Sequence, residues 1–254
     1  NGRLTLRYQL SADEVIGGDP DTTSPILIGE QGDRITSALG FTYTLDRRNS
    51  PVDPTGGFIF SLNQSFAGLG GDAEYSRTTA RARGFQGILD EDVVLSLEIE
   101  GGALVPFDEE SRINERFFLG GDRLRGFRFG GIGPRDRCSN CLGPNNENDV
   151  NDALGGNLFA VARLEATFPI GLPDELGIFG GVFADVGSGW ELDASSRNGA
   201  SGTIDDSLKL RSSLGLSLFW NTAIGPLRIN YAFPQDRVDG DREERFRVTV
   251  DSRF

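Results

Sequence analysis

The 254-residue sequence contains no histidine and no methionine, and only two cysteines and two tryptophans. No apolar run approaches the ~18 residues of a transmembrane helix or the core of a secretory leader. Each gap excludes something. Without histidine there is no Ser-His-Asp or Cys-His nucleophilic machinery and no His-ligated metal site. Without a methionine at position 1, Asn1 is not a translation start, so the chain is expected to be processed or part of something longer. Positive charge is also scarce. Lys and Arg number 25 against 38 Asp and Glu, a net charge of −13, which argues against the basic footprint of a nucleic-acid binder. Hydrophobic residues make up 37%, while glycine reaches 35 residues. That composition suits a loop-rich soluble β protein. It equally suits a membrane β-barrel, whose lumen-facing polar residues dilute the apolar ones.

What is present is alternation with period two, the signature of strands. Phe246, Val248, Val250 and Phe254 share one face, against Arg245, Arg247, Thr249, Asp251 and Arg253. Leu227, Ile229, Tyr231 and Phe233 oppose Arg228 and Asn230, and Leu214, Leu216, Leu218 and Trp220 oppose Ser213 and Ser217. Leu158, Ala160, Ala162, Leu164, Ala166 and Phe168 oppose Arg163, Glu165 and Thr167. Leu4–Leu10, Ile35–Leu45 and Val93–Ile99 read the same way, with weaker candidates at 57–67, 73–85, 115–121 and 178–188. Helical periodicity is absent over any useful length, so the chain is predicted to be all-β.

The strands run to about 9–11 residues, enough to cross a bilayer at a tilt. Short turns alternate with long polar loops, which is how outer-membrane barrels are connected. A soluble β-sandwich or a Gly/Asp-rich calcium-binding array is the alternative. About eleven strands are counted, whereas single-chain bacterial barrels have even numbers, so strands are expected to precede Asn1. The acidic clusters Asp19–Asp21, Asp90–Asp92, Asp108–Glu110 and Asp239–Glu244 read as solvated turns. Binding of divalent cations that bridge lipopolysaccharide is the sharper alternative for some of them. Gly130–Pro134 (GGIGP) lacks the Lys-Ser/Thr of a phosphate loop. No metal site is predicted.

The segment Glu115–Asp136 (ERFFLGGDRLRGFRFGGIGPRD) carries the tetrad Leu124-Arg125-Gly126-Phe127. With its surroundings it resembles the loop-six region of the BamA-type outer-membrane assembly factors. The likeness continues in order through ALGGNLFAVARLEATFP (153–169), FGGVFADVGSGW (179–190), GPLRINYAFP (225–234) and the aromatic-terminated FRVTVDSRF. Upstream, YTLDRRNSPVDPTGG (43–57) resembles a family strand and turn bearing an aspartate-arginine pair.

The resemblance implies a transmembrane antiparallel β-barrel of about 16 strands when complete, of which residues 1–254 look like roughly the last 11. A long loop at about 122–152 is then expected to fold inward, and the N-terminal strands and POTRA domains are not in this sequence. It further implies that Arg125 meets Glu165 and Asp185 on the lumen wall, where a guanidinium can donate paired bonds to carboxylates. Alternation agrees, since Glu165 falls on a polar face and an acid on the lipid face would be destabilising.

The implied function is non-enzymatic and cofactor-free. It is the folding and insertion of nascent outer-membrane β-barrel proteins, together with accessory lipoproteins and outer-membrane lipids including lipopolysaccharide. The seam edge of the last strand (Phe246, Val248, Val250, Phe254) would template an incoming strand by β-augmentation. A translocation-assembly or two-partner-secretion barrel, or a passive pore, are the rival functions. Cys138 and Cys141 give too few ligands for structural zinc and lack the α/β context of a redox motif. They are read as a disulfide stapling the long loop, where the family often carries a cysteine pair.

Overall fold

The computed structural model describes residues 2–107, 111–145, 147–194, 197, 199–222 and 225–250. Ten antiparallel strands form one sheet. They are β1 (Gly2–Val15), β2 (Gly32–Asp46), β3 (Gly56–Ala67), β4 (Tyr75–Ile88) and β5 (Val93–Pro106), then β6 (Leu158–Pro169), β7 (Ile178–Trp190), β8 (Arg211–Thr222), β9 (Gly225–Pro234) and β10 (Phe246–Val250). Each pairs with the next strand along the chain, so the sheet is a simple meander. Among the described residues β1 and β10 are its two edges.

Residues 47–55, 89–92 and 170–177 make the turns at one end. Four connections at the other end are longer, at 16–31, 107–157, 191–210 and 235–245, while 68–74 on that side is as short as the turns opposite. The 16–31 connection carries a one-turn helix, Pro25–Gly29, capped by the Ser24 hydroxyl accepting from the Ile26 N–H.

Which face is buried decides the environment. On β8, Ser213 and Ser217 are buried, while Leu214 and Leu216 are 51% and 56% exposed. The same inversion holds on β10, where Phe246, Val248 and Val250 face outward and Arg247 and Thr249 turn inward. Leu39, Phe66, Leu97, Ile99, Leu164, Val182 and Tyr231 continue the exposed apolar band along the sheet. A soluble sandwich requires these faces inside, and a soluble monomer rarely exposes apolar patches beyond a few hundred Å². The band therefore faces lipid. No helix among the described residues is long and apolar enough to cross a membrane; the strands do the crossing.

The concave polar face wraps around the 107–157 connection. Its apolar side chains Phe117, Leu119, Leu124, Phe127 and Ile132 pack with Leu104, Phe159 and Val161 of the wall into one buried cluster. The core of this protein thus lies between a loop and the inner face of the sheet.

One predicted strand is not in the sheet. Residues 115–121 alternate as a strand would, with Phe117 and Leu119 buried, yet they form only isolated bridges, Phe117 to Gly156 and Leu119 to Ile132. The ladder positions between β5 and β6 are already taken, because those strands pair directly, Leu97 against Leu164. Among the described residues the sheet therefore has ten strands rather than about eleven. The acidic run 239–244 is not uniformly solvated either, since Asp241 forms an enclosed ion pair with Arg211 at 3.1 Å. Asp108–Glu110 lie outside the described residues, as does Phe254.

Candidate functional site

The tip of the long connection is a tight loop closed by Gly121 N–H donating to Phe127 O at 2.7 Å. It needs glycine at its base. Gly120 has φ +103, and a Cβ there would lie 1.8 Å from the Arg128 carbonyl oxygen. Leu124, at 0% exposure, and Phe127 anchor the tip in the buried cluster. Between them the chain places Arg125 against β6, β7 and β8.

Arg125 is held on every side. Its backbone N–H, Nε and Nη2 donate to the Asp185 carboxylate at 3.1, 2.7 and 2.6 Å, and Nη1 donates to Glu165 at 2.6 Å. The guanidinium lies 3.6 Å above the Phe183 ring, and the backbone carbonyl of Arg125 accepts from the Ser213 hydroxyl at 2.6 Å. Burial disfavours the charge, but Asp185 and Glu165 outweigh that and raise the pKa of Arg125 above its ordinary value. Register explains the convergence. Phe183 stands opposite Glu165 and Asp185 opposite Ser213, so the two carboxylates, the ring and the hydroxyl all share the concave face of three adjacent strands.

Gly126 follows at φ +93, with a Cβ position only 3.2–3.3 Å from Ser213, Ala232 and Pro234. Gly126–Phe127 then pairs with Glu243–Glu244, which leads into β10. Arg128 and Arg242 reinforce this, with Arg128 N–H donating to Arg242 O and Arg242 N–H to Gly131 O, each at 2.9 Å.

Several partners are invisible to motif matching. Arg228 of β9 shares Glu165 with Arg125, and Ser217 donates to the same carboxylate oxygen at 3.2 Å. A neighbouring network centres on Glu98 of β5, which meets Arg81 through both oxygens and also pairs with Arg163 of β6. The signal for these was in the alternation, because Arg228, Ser217, Glu98 and Arg163 all sit on predicted polar faces. Beneath the loop tip these charges border a cavity of 940 Å³ that opens toward the short turns.

The outer part of the connection forms a hairpin, Arg135–Leu142 against Asn148–Ala153, joined on its far side by Thr203–Ile204. Cys138 and Cys141 are bonded to each other within its first strand. Asp136, fully buried, accepts from the Ser24 hydroxyl at 2.6 Å and from Ser201 and Gly202 N–H at 2.9 and 3.1 Å, tying three loops together. Burial lowers the pKa of Arg135 to about 10, with Arg242 adding to the effect. Where the connection enters the lumen, Asp193 accepts from Ser111 N–H and Asn157 Nδ2, both at 2.9 Å. Phe246, Val248 and Val250, expected at the seam, are exposed on the outer side of β10 and are not brought near Arg125.

Fold and site together define a membrane β-barrel whose inner face is occupied by a long inward loop, anchored through an arginine to two wall carboxylates. The chain belongs to the Omp85 superfamily, whose domain matches residues 1–254. It is an integral outer-membrane protein. It is 31% identical over 253 residues to the outer membrane protein assembly factor BamA of Neorickettsia risticii, covering 99% of this chain and 32% of that protein. To the Nitratidesulfovibrio vulgaris BamA it is 29% identical over 252 residues, 97% of this chain and 29% of that protein. It is also 29% identical over 230 residues to sorting and assembly machinery component 50 homolog A of Xenopus laevis, 87% of this chain and 46% of that protein. The crystal structure of BamA from Haemophilus ducreyi lacking POTRA domains 1–3 superposes with a TM-score of 0.72 at 24% identity, over 87% of this chain and 43% of that one. The chain spans about a third of the length of the BamA relatives it matches.

Proposed function

We propose that residues 1–254 form the C-terminal part of the barrel of an outer-membrane insertase, which folds and inserts other β-barrel proteins without covalent chemistry or a cofactor. The observation that carries this reading is the Arg125 clamp. It joins the inward loop to β6, β7 and β8 while the next two residues of the tetrad pair with the segment leading into β10. A barrel used for bulk diffusion has no need of a loop packed through its lumen, so the occupied inner face speaks against a passive pore. In this reading nascent barrel proteins are the clients, and accessory lipoproteins and lipopolysaccharide are the partners. The edge of β10 offers backbone groups to a client strand, a β-augmentation that needs no side-chain specificity.

The test uses the full-length protein reconstituted into lipid vesicles and challenged with a urea-unfolded outer-membrane barrel. Client folding, read by heat-modifiable gel mobility, is expected to be faster than in empty vesicles. Equal rates with and without the protein, together with a steady ion conductance, would sink the insertase reading in favour of a pore.

A further inference from the structure

We propose that Asp122 is a positioning residue that ties the tip of the inward loop to the inner face of β10, so that the loop as well as β9 sets where the edge strand lies. Its carboxylate accepts from Arg247 Nε at 3.1 Å and from the Thr249 hydroxyl at 3.3 Å. These are the two inward-facing residues of β10, alternating with the exposed Phe246, Val248 and Val250. Arg247 also pairs with Glu244 at 2.7 Å, so its guanidinium is held by two carboxylates.

The other end of the tether is fixed. The carbonyls of Asp122 and Arg123 accept from Arg163 Nη1 at 3.0 and 3.2 Å, and Arg163 is itself locked by Glu98 and Glu100 on β5. The backbone of the tip is therefore bound to the middle of the wall while one side chain reaches its edge. The adjacent Gly121, at φ +64, allows the approach, since a Cβ there would stand 3.0 Å from Arg247 Nη2.

The tether matters because β10 is an edge of the sheet among the described residues, with a strand neighbour on one side alone. Among the described residues its ladder with β9 runs from Leu227 opposite Val250 to Tyr231 opposite Phe246 and is continued by Ala232 N–H donating to Arg245 O at 2.7 Å. Asp122 is 63% exposed on its side chain, so solvent screens the ion pair, and a bond of this kind changes an opening equilibrium by a factor of about five at most. That strength suits a contact that must be made and released. The release step rests on the insertase reading, but the positioning of β10 does not.

Amide hydrogen exchange on the full-length protein in lipid nanodiscs tests this directly. Asp122→Ala is expected to speed exchange across Phe246–Val250 about three- to fivefold, with Arg211–Thr222 of β8 unchanged. Asp122→Glu should restore most of the protection, and Arg247→Ala combined with Asp122→Ala should fall short of the product of the single effects. Unchanged exchange in β10, equal acceleration in β8, or fully multiplicative effects would each overturn the proposal. Client folding by the wild-type protein is measured alongside. Its absence would remove the insertase reading while leaving the exchange result to decide the tether.

Discussion

Removing the guanidinium of Arg125 is the sharpest perturbation the structure offers. The side chains of Arg125 and Asp185 are 5% and 0% exposed, so solvent does not screen their interaction. In Arg125→Ala, Glu165 keeps Arg228 and Ser217, but among the described residues the backbone N–H of residue 125 is the one hydrogen-bond donor left to Asp185. Breaking a buried pair by deleting one partner costs about 3–5 kcal/mol, chiefly because a charge is left without compensation. The expected loss of stability is therefore about 4 kcal/mol, measured by urea unfolding of the full-length protein in vesicles. The mechanism also predicts a rescue. Asp185→Asn removes the orphaned charge, so the double variant should be more stable than Arg125→Ala alone by about 2 kcal/mol, a large positive coupling in a double-mutant cycle. Arg125→Lys keeps the charge but loses the fork to Asp185 and should cost about 2 kcal/mol. A loss below about 1 kcal/mol in Arg125→Ala, or strict additivity with Asp185→Asn, would refute the idea that an unpaired buried carboxylate governs the site.

Three further outcomes are expected. Gly126→Ala combines a left-handed backbone with crowding from Ser213, Ala232 and Pro234, and should destabilise by about 1–3 kcal/mol, lowering the temperature at which heat-modifiable mobility is lost. Burial alone would raise the pKa of Asp193, yet hydrogen bonds from Ser111 and Asn157 overcome it and hold the carboxyl below its ordinary 3.8. The unfolded state therefore binds more protons between the two values, so this stabilisation is present above about pH 3.8 and lost as pH falls through the folded value. Exchange protection at 111–117 should drop over that interval in the wild type and show no such step in Asp193→Asn. Replacing both Cys138 and Cys141 with serine opens a very small covalent loop, and the loss should stay below about 2 kcal/mol with mobility on gels unchanged.

Much of this protein is legible in its sequence. Period two marked Leu4–Leu10, Ile35–Leu45, Val93–Ile99 and the strands at 158–168, 214–220, 227–233 and 246–250 and assigned their side chains to faces, because successive residues of an extended chain point to opposite sides, whereas 57–67, 73–85 and 178–188 were only weaker candidates. It put Glu165, Arg228 and Ser213 on polar faces, and the tetrad at 124–127 marked the loop.

Only the tertiary structure decided the rest. Alternation cannot say whether an apolar face is buried or lipid-exposed; the exposure of Leu214 and Leu216 beside buried Ser213 and Ser217 does. It cannot separate 115–121 from a true strand, since a strand is defined by a free neighbouring edge and β5 and β6 had already paired. The register of β6, β7 and β8, set by pairing between distant segments, brought Glu165, Phe183, Asp185 and Ser213 to a single arginine. The contact of Asp122 with Arg247, separated by 125 positions along the chain, exists because the loop turns inward and the sheet curves around it.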